Sequence, residues 1–271
     1  MASLPIFQID AFTDQLFAGN PAAVVPLVQW LDDQTLQNIA MENNLSETAF
    51  LVKLADQSQA DFHLRWFTPA VEVRLCGHAT LASAHWYFSE ANPAATQVRF
   101  QTLSGILTVE RKGQAMVMSL TAEQLRPVEV SAEYLAMLGL KPEQVEYTGM
   151  AVEYLQVVVN SEPLVQSLKP DFAALKHSEY GSVIVTAQAI EKHYDFIGRF
   201  FAPAFAIDED PVTGSAFAVM APYWMERLDL ERVVGYQASA RGGVVDCLRA
   251  GERVLLTGTA VTYLKGEIYL R

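Results

Sequence analysis

One stretch of this chain occurs twice, and a duplication constrains a fold more tightly than composition does. Residues 74–87 read RLCGHATLASAHWY, and residues 211–224 read PVTGSAFAVMAPYW. At a constant offset of 137 (213 − 76), Gly77 matches Gly214, Ala79 matches Ala216 and Ala84 matches Ala221. Upstream, RWFTPA (65–70) reads against RFFAPA (199–204), with four of six positions identical. The offset there is 134 (199 − 65), so the second copy carries a connection three residues longer. A single long-period repeat excludes solenoids and propellers and predicts two related halves.

Each copy reads as strand, turn and helix. Arg-aromatic-Phe has strand character and Pro bounds it. A turn containing Gly follows, then a helix of Ala and aromatic residues. Gly at a helix entry lets a ligand approach the backbone, where unpaired N–H groups and the helix dipole favour an anion. Two such entries facing each other would hold a small carboxylate. Alone, either copy reads equally well as a buried helix with an ordinary start.

The 271 residues are 51% hydrophobic and 18% charged, enough for a sizeable core in two moderate domains. Net charge is −12 and the pI about 4.8, which argues against nucleic acid or an anionic membrane as partner. No run is long enough to cross a bilayer. The first basic residue is Lys53, so neither a secretory signal nor a transit peptide is expected. Cys76 and Cys247 are too few for a disulfide scaffold, which points to a reducing, cytoplasmic compartment.

Along the chain, 4–12 reads as an opening strand, Gly19-Asn20-Pro21 as a turn, and 22–25 as a short buried strand. Asp32 is a plausible N-cap for a helix to about 41, broken by Asn43-Asn44. Strands are expected at 47–52, 60–67, 97–102, 106–110 and 116–120. Residues 123–127 are the expected boundary, giving halves of 1–122 and 123–271, with the C-terminal strand able to add to the first. Ser131 is expected to cap a helix to 138. Strands follow at 154–159, 182–186 and 194–201, then a second central helix over 215–227. The tail is read as strands at 233–238, 244–249, 253–258 and 261–264, with another at 267–270. The expectation is an α+β fold of two pseudo-symmetric halves, each a curved, barrel-like mixed sheet around one Ala-rich helix. An active-site cleft is expected where the helix starts meet.

Few residues offer chemistry. Cys76 and His78 supply two metal ligands, and no third stands at a standard spacing. There is no G-x-G-x-x-G, no Walker A and no G-x-S-x-G. Ser215 follows Gly214 at a helix start, where a hydroxyl suits donation to a substrate oxygen better than nucleophilic attack. Asp210-Pro211 has an ordinary role as a turn former. Glu47, at a strand start, would ordinarily be a surface carboxylate.

Five ordered motifs alter that reading: FAGNP (17–21), NLSETAF (44–50), RWFTP (65–69), CGHAT (76–80) and EDPVTGSA (209–216). With them the chain resembles the phenazine-biosynthesis (PhzF-like) family throughout its length, a family similar in fold to diaminopimelate epimerase. The resemblance implies an isomerase that moves a proton without a cofactor, and a homodimer. It places the catalytic glutamate at Glu47, the Gly-His pair at Gly77 and His78, a substrate-binding aspartate at Asp210 and the Gly-Ser turn at Gly214 and Ser215. A shielded carboxylate can give and take a proton near neutral pH. Backbone N–H groups after Gly77 and Gly214 would hold a substrate carboxylate.

Cys76 departs from the pattern. In the phenazine enzyme that position is apolar. In the related epimerases it is one of two catalytic cysteines, and the other falls at Thr213 here. A helix N-terminus can lower a thiol's pKa, but a buried, inert cysteine is the plainer reading of Cys76. Three readings follow. One is a cofactor-independent isomerase of a small cyclic or amino-acid-like carboxylate. Another is a racemase or epimerase with Cys76 as one base and Glu47 or Asp210 as the other. The third is a catalytically silent metabolite-binding or interaction protein.

Overall fold

The computed structural model describes residues 2–151, 153–190 and 193–270. The strands and helices are, in chain order, β1 (Ala2–Ala11), β2 (Asn20–Leu27), α1 (Asp33–Asn43), β3 (Glu47–Lys53), β4 (Phe62–Phe67), β5 (Glu72–Val73), α2 (Gly77–Trp86), β6 (Gln97–Thr102), β7 (Gly105–Lys112) and β8 (Ala115–Thr121). Then come β9 (Arg126–Pro127), α3 (Ala132–Met137), β10 (Val145–Ala151), β11 (Tyr154–Val159), α4 (Glu162–Ser167), α5 (Phe172–Leu175), β12 (Ser182–Gln188), β13 (Phe196–Ala202) and β14 (Ile207–Asp210). The chain continues through α6 (Gly214–Leu228), β15 (Arg232–Gln237), β16 (Gly243–Ala250), β17 (Arg253–Gly258) and β18 (Ala260–Leu270). It divides into two compact units: residues through Ser119 together with those from Thr257 onward, and Leu120–Leu256.

The duplication governs strand pairing in each unit. In the first, β1 is antiparallel to β2, β2 parallel to β3, and β3 antiparallel to β4. Strand β4 takes β5 antiparallel and β6 parallel, and β6 continues antiparallel to β7. In the second, β10, β11, β12 and β13 repeat the first three relationships, β13 takes β14 antiparallel and β15 parallel, and β15 continues antiparallel to β16. Parallel neighbours need a crossover, supplied by α1 and α2 in one unit and by α4 with α5, then α6, in the other. The echoed arginines do the same work twice. Arg65 makes two 2.8 Å hydrogen bonds to Glu72 on β5, and Arg199 makes bonds of 2.7 and 2.8 Å to Glu209 on β14.

Strands β2, β3, β11, β12 and β13 are buried along nearly their whole length and so are mostly apolar, whereas β6, β15 and β17 alternate. Leu155, Val157 and Val159 of β11 pack with α3, α4 and α5, whereas Gln156 and Val158 face the other way and are equally buried. Residues 77–84 of α2 are all buried, as a helix apolar on every side requires. Helix α6 contains Pro222, which cannot donate to the Ala218 carbonyl one turn back; the Glu123 N–H takes that carbonyl instead, at 3.0 Å. No helix among the described residues is long and apolar enough to cross a membrane.

Three local expectations are corrected. The first turn ends at Gly19 (φ 63°), and Asn20 and Pro21 already belong to β2. Pro is tolerated there because it stands at the strand's beginning. The two tail strands are one, β18, which pairs along β1 from Ala2↔Leu270 to Ala11↔Ala260 with a single irregularity at Gln8/Ile9. A break was read at Lys265-Gly266, but cross-strand pairing carries the chain through it. Asp210, whose ordinary role before Pro211 is turn formation, instead ends a strand held by β13.

Candidate active site

In the first unit, the turn out of β1 fixes the first functional side chain. A side chain at Gly19 would put a Cβ 2.2 Å from the Ala11 carbonyl oxygen, so only glycine fits, and the chain emerges with Asn20 opposite Ala11. Parallel pairing of β2 with β3 then sets Glu47 beside Ala22. Cys76 is the extended residue before α2 (φ −145°, ψ 110°), and His78 lies in that helix's first turn.

These residues meet. His78 Nε2 lies 3.1 Å from Glu47 Oε2, and the other ring nitrogen, Nδ1, lies 3.1 Å from Asn20 Nδ2 and 3.6 Å from Cys76 Sγ. Glu47 is 9% exposed, His78 3% and Asn20 not at all. Glu47 is therefore not a surface carboxylate; its pairing with His78 makes burial tolerable. Burial pushes the Cys76 thiol up to about 11, and the neighbouring Glu47 adds to this, outweighing the lowering influence of His78 and of the Ala79 N–H. Desolvation thus outweighs the lowering influence of the helix start. Burial alone pulls the His78 imidazolium down, but Cys76 and Glu47 beside it reverse the direction, to well above the ordinary histidine value.

Glu47 also supplies the third ligand type that the spacing of Cys76 and His78 did not offer. The ligand atoms of all three lie within 4.8 Å of one another. Strand pairing makes this juxtaposition, which local spacing cannot reveal. The imidazole nevertheless lies between thiol and carboxylate, with Nδ1 toward one and Nε2 toward the other. Nε2 and Oε2 are within ion-pair distance but make no hydrogen bond.

In the second unit, Asp210 ends β14 and Thr213 is the extended residue before α6 (φ −111°, ψ 99°). The Thr213 hydroxyl donates to Asp210 Oδ2 at 2.5 Å, and its N–H donates to Gln237 Oε1 at 2.8 Å. Gln237 Nε2 returns a bond to the Asp210 carbonyl at 2.6 Å. Gly214 opens the helix, and Ser215 Oγ lies 2.9 Å from the Tyr154 hydroxyl. Neither Cys76 nor Thr213 makes an ordinary side-chain cap to its helix, although the Ala79 N–H in the first turn of α2 acts on the Cys76 sulfur. The structure therefore gathers the expected residues as Glu47, Cys76, Gly77 and His78 in one unit, and Asp210, Gly214 and Ser215 in the other.

Sequence reasoning did not single out Asn20, Gln237 or Tyr154. Asn20 had a signal, since it follows a glycine in one of the five ordered motifs. Gln237 and Tyr154 had none, since each reaches its partner from a distant strand.

The family model for phenazine biosynthesis-like proteins, PhzC-PhzF, matches residues 9–266. An uncharacterized isomerase of Pseudomonas aeruginosa is 46% identical over 267 residues, covering 98% of this chain and 99% of the relative. The crystal structure of a PhzF-family phenazine biosynthesis protein from Enterococcus faecalis superposes with a TM-score of 0.91 at 41% identity, covering 99% of this chain and 100% of that one. In fold alone, the likeness extends to a hydroxyproline epimerase from Agrobacterium vitis, with a TM-score of 0.63 at 10% identity over 98% of this chain and 92% of that one. The chain belongs to the phenazine biosynthesis-like PhzC-PhzF family and is an isomerase of that family.

Proposed function

We propose that this isomerase moves one proton between two carbons of a small cyclic or amino-acid-like carboxylate, without a cofactor, and that Glu47 is its general acid and base. The observation that carries the reading is the 3.1 Å ion-pair contact between Glu47 Oε2 and His78 Nε2, made by a carboxylate withdrawn from solvent. One Glu47 oxygen is oriented by His78. The other takes a proton from substrate carbon, and the protonated acid returns it to a second carbon. The uncapped starts of α2 and α6 suit an anionic group, a substrate carboxylate or the enolate-like charge that develops as the proton leaves. Family resemblance assigns Asp210, Gly214 and Ser215 to substrate holding. A homodimer and a cytoplasmic location go with the same reading.

The alternative with Cys76 as a base is weaker on a specific ground. A thiol pushed up to about 11 is protonated at neutral pH and removes no proton. Thr213, which stands where a second thiol would be, spends its hydroxyl on Asp210.

Glu47→Gln keeps the shape and removes the base. The test is turnover and solvent-deuterium incorporation for wild type and Glu47→Gln on candidate cyclic dienes and small amino acids. Wild type should place deuterium on a product carbon, and Glu47→Gln should lose at least about a thousandfold in kcat. Full activity in Glu47→Gln would end the carboxylate mechanism, and absence of exchange in wild type on every candidate would favour a binding protein.

A further inference from the structure

We propose that a cavity at the far end of α2 from His78 is a second binding site, built for a flat aromatic carboxylate. Its ring would lie against Phe62, Trp86 and Tyr87, and its charge would meet Lys53. The cavity measures about 390 Å3, within the range of small-molecule sites. Trp86, at its edge, stands eight residues along the helix from His78 (86 − 78), roughly 12 Å at about 1.5 Å per residue.

Strand register builds the wall. Lys53 of β3 is opposite Phe62 of β4, and Leu51 is beside Pro26 of β2. Opposed residues share a face, and so do alternate residues of one strand, so Leu51, Lys53 and Phe62 point to the same side. That side is the one α2 covers: Phe62 meets Trp86 and Tyr87 with ring centroids 5.9 and 5.5 Å apart. All six side chains line the cavity.

The duplication indicates what such a space accepts. Register matches Phe62 with Phe196, Leu51 with Thr186 and Lys53 with Gln188, and the helix echo matches Tyr87 with Trp224. In the second unit the Trp224 indole is 1% exposed, stacks on Phe196 at 6.1 Å and 10°, and donates to the Thr186 hydroxyl at 2.9 Å. An aromatic ring of the protein's own occupies that place. The first unit has the cavity instead. Leu51 offers no side-chain acceptor, and Tyr87 begins a single π turn, Tyr87–Ala91, with its hydroxyl accepting from Asn92 Nδ2 at 3.1 Å. Such turns recur at functional sites.

Charge selects the ligand. Lys53 is the one cation among the lining residues, and it has no ion-pair partner among the described residues. Asp61, the one lining carboxylate, is spent on Arg99, whose Nη2 and Nε hold it at 3.1 and 3.3 Å and whose backbone N–H adds a bond of 2.7 Å. The negative end of the helix is met by Arg111, which donates to the Phe88 and Pro93 carbonyls at 3.5 and 2.9 Å. An anionic substituent therefore finds one unopposed positive charge beside the aromatic rings.

The test titrates indole-3-carboxylate and neutral indole into the full chain by calorimetry. Wild type should bind indole-3-carboxylate with a Kd of about 1 mM or below. Lys53→Met should weaken that binding at least about tenfold and change the affinity for indole by less than about threefold. Ala91→Trp sets an indole of the protein's own at the rim and should abolish binding of both probes. Amide NMR should show shifts at Lys53, Phe62 and Tyr87. Glu47→Gln should bind the probe as wild type does, whatever its turnover. Shifts confined to the helix starts at Gly77 and Gly214 would overturn the proposal. So would unchanged carboxylate binding in Lys53→Met, an equal loss of both probes there, unchanged binding in folded Ala91→Trp, or no binding by wild type up to about 10 mM. If Ala91→Trp does not fold, Lys53→Met and the NMR shifts decide.

Discussion

Thr213 gives its hydroxyl to Asp210 and not to the helix it introduces: the Oγ1–Oδ2 distance is 2.5 Å, and α6 starts without a side-chain cap. A threonine before a helix ordinarily closes that end. Here it braces a carboxylate and leaves the helix start open, and Gln237 locks both residues from β15.

Thr213→Val should therefore destabilise the fold by about 1–3 kcal/mol, since Asp210 loses a donor and Gln237 loses an acceptor inside the protein. Thr213→Ser should recover most of the loss. Urea unfolding of both variants measures it, and equal losses for Val and Ser would show that the hydroxyl has no part.

The raised Cys76 pKa has a definite sign. With the folded value near 11 and an unfolded value near 8.5, the fold favours the neutral thiol. The stability this contributes is fully present below about pH 8 and is lost as pH rises toward about 11. Cys247 shares the direction, again first through burial, so Cys76→Ala should remove only part of the alkaline decline. Iodoacetamide should label Cys76 slowly in native protein at neutral pH and rapidly in urea. Prompt, complete labelling of the native protein would contradict a buried neutral thiol. Under the Glu47 mechanism, Cys76→Ala should keep turnover within about tenfold.

Gly235 has no room for a side chain. A Cβ there would lie 2.3 Å from the Phe196 ring and 2.6 Å from Phe217, both fully buried. Gly235→Ala should cost about 1–3 kcal/mol through overpacking, read as a lowered urea midpoint. A variant as stable as wild type would mean that the aromatic cluster yields freely.

Arg199 and Arg65 occupy equivalent positions but are not equally committed. Each makes a bidentate pair, with Glu209 and Glu72 respectively. Arg199 also holds the Val165 and Leu168 carbonyls, at 3.3 and 2.9 Å, where α4 ends. Lysine cannot reproduce the fork. Arg65 adds one bond, 2.9 Å to the exposed Asp33. Arg199→Lys should therefore destabilise by about 2 kcal/mol or more and Arg65→Lys by less, because two part-buried carbonyl bonds are lost against one solvent-exposed ion pair. The reverse order in denaturant unfolding would refute this accounting.

What was legible in the sequence was local or repeated. Asp32 and Ser131 cap α1 and α3 as their positions indicated, accepting from Thr35 and Tyr134. The echo at Arg65 and Arg199 marked the strands before the two buried helices. Strand β10, the short helices α4 and α5, and the two-residue β5 were not legible, because their hydrophobic runs are too brief for a period to show. The partner of Glu47 was illegible from spacing for another reason. His78 reaches it by way of a parallel crossover and a buried helix, and strand register carries no local signature. Resemblance had named both residues but not the contact between them, nor Asn20 on the far side of the ring.

The last strand completes the sheet begun by the first: β18 runs along β1, and the other strands of that unit precede Leu120. In vectorial synthesis the stretch Leu120–Leu256 emerges whole, while β1, already made and paired with β2, waits with its other edge bare. An unpaired edge invites pairing with another chain. The ribosome thus sets an order of assembly in which the half bearing Glu47 and His78 is finished last, so truncation within β18 would leave an open edge as well as a lost strand.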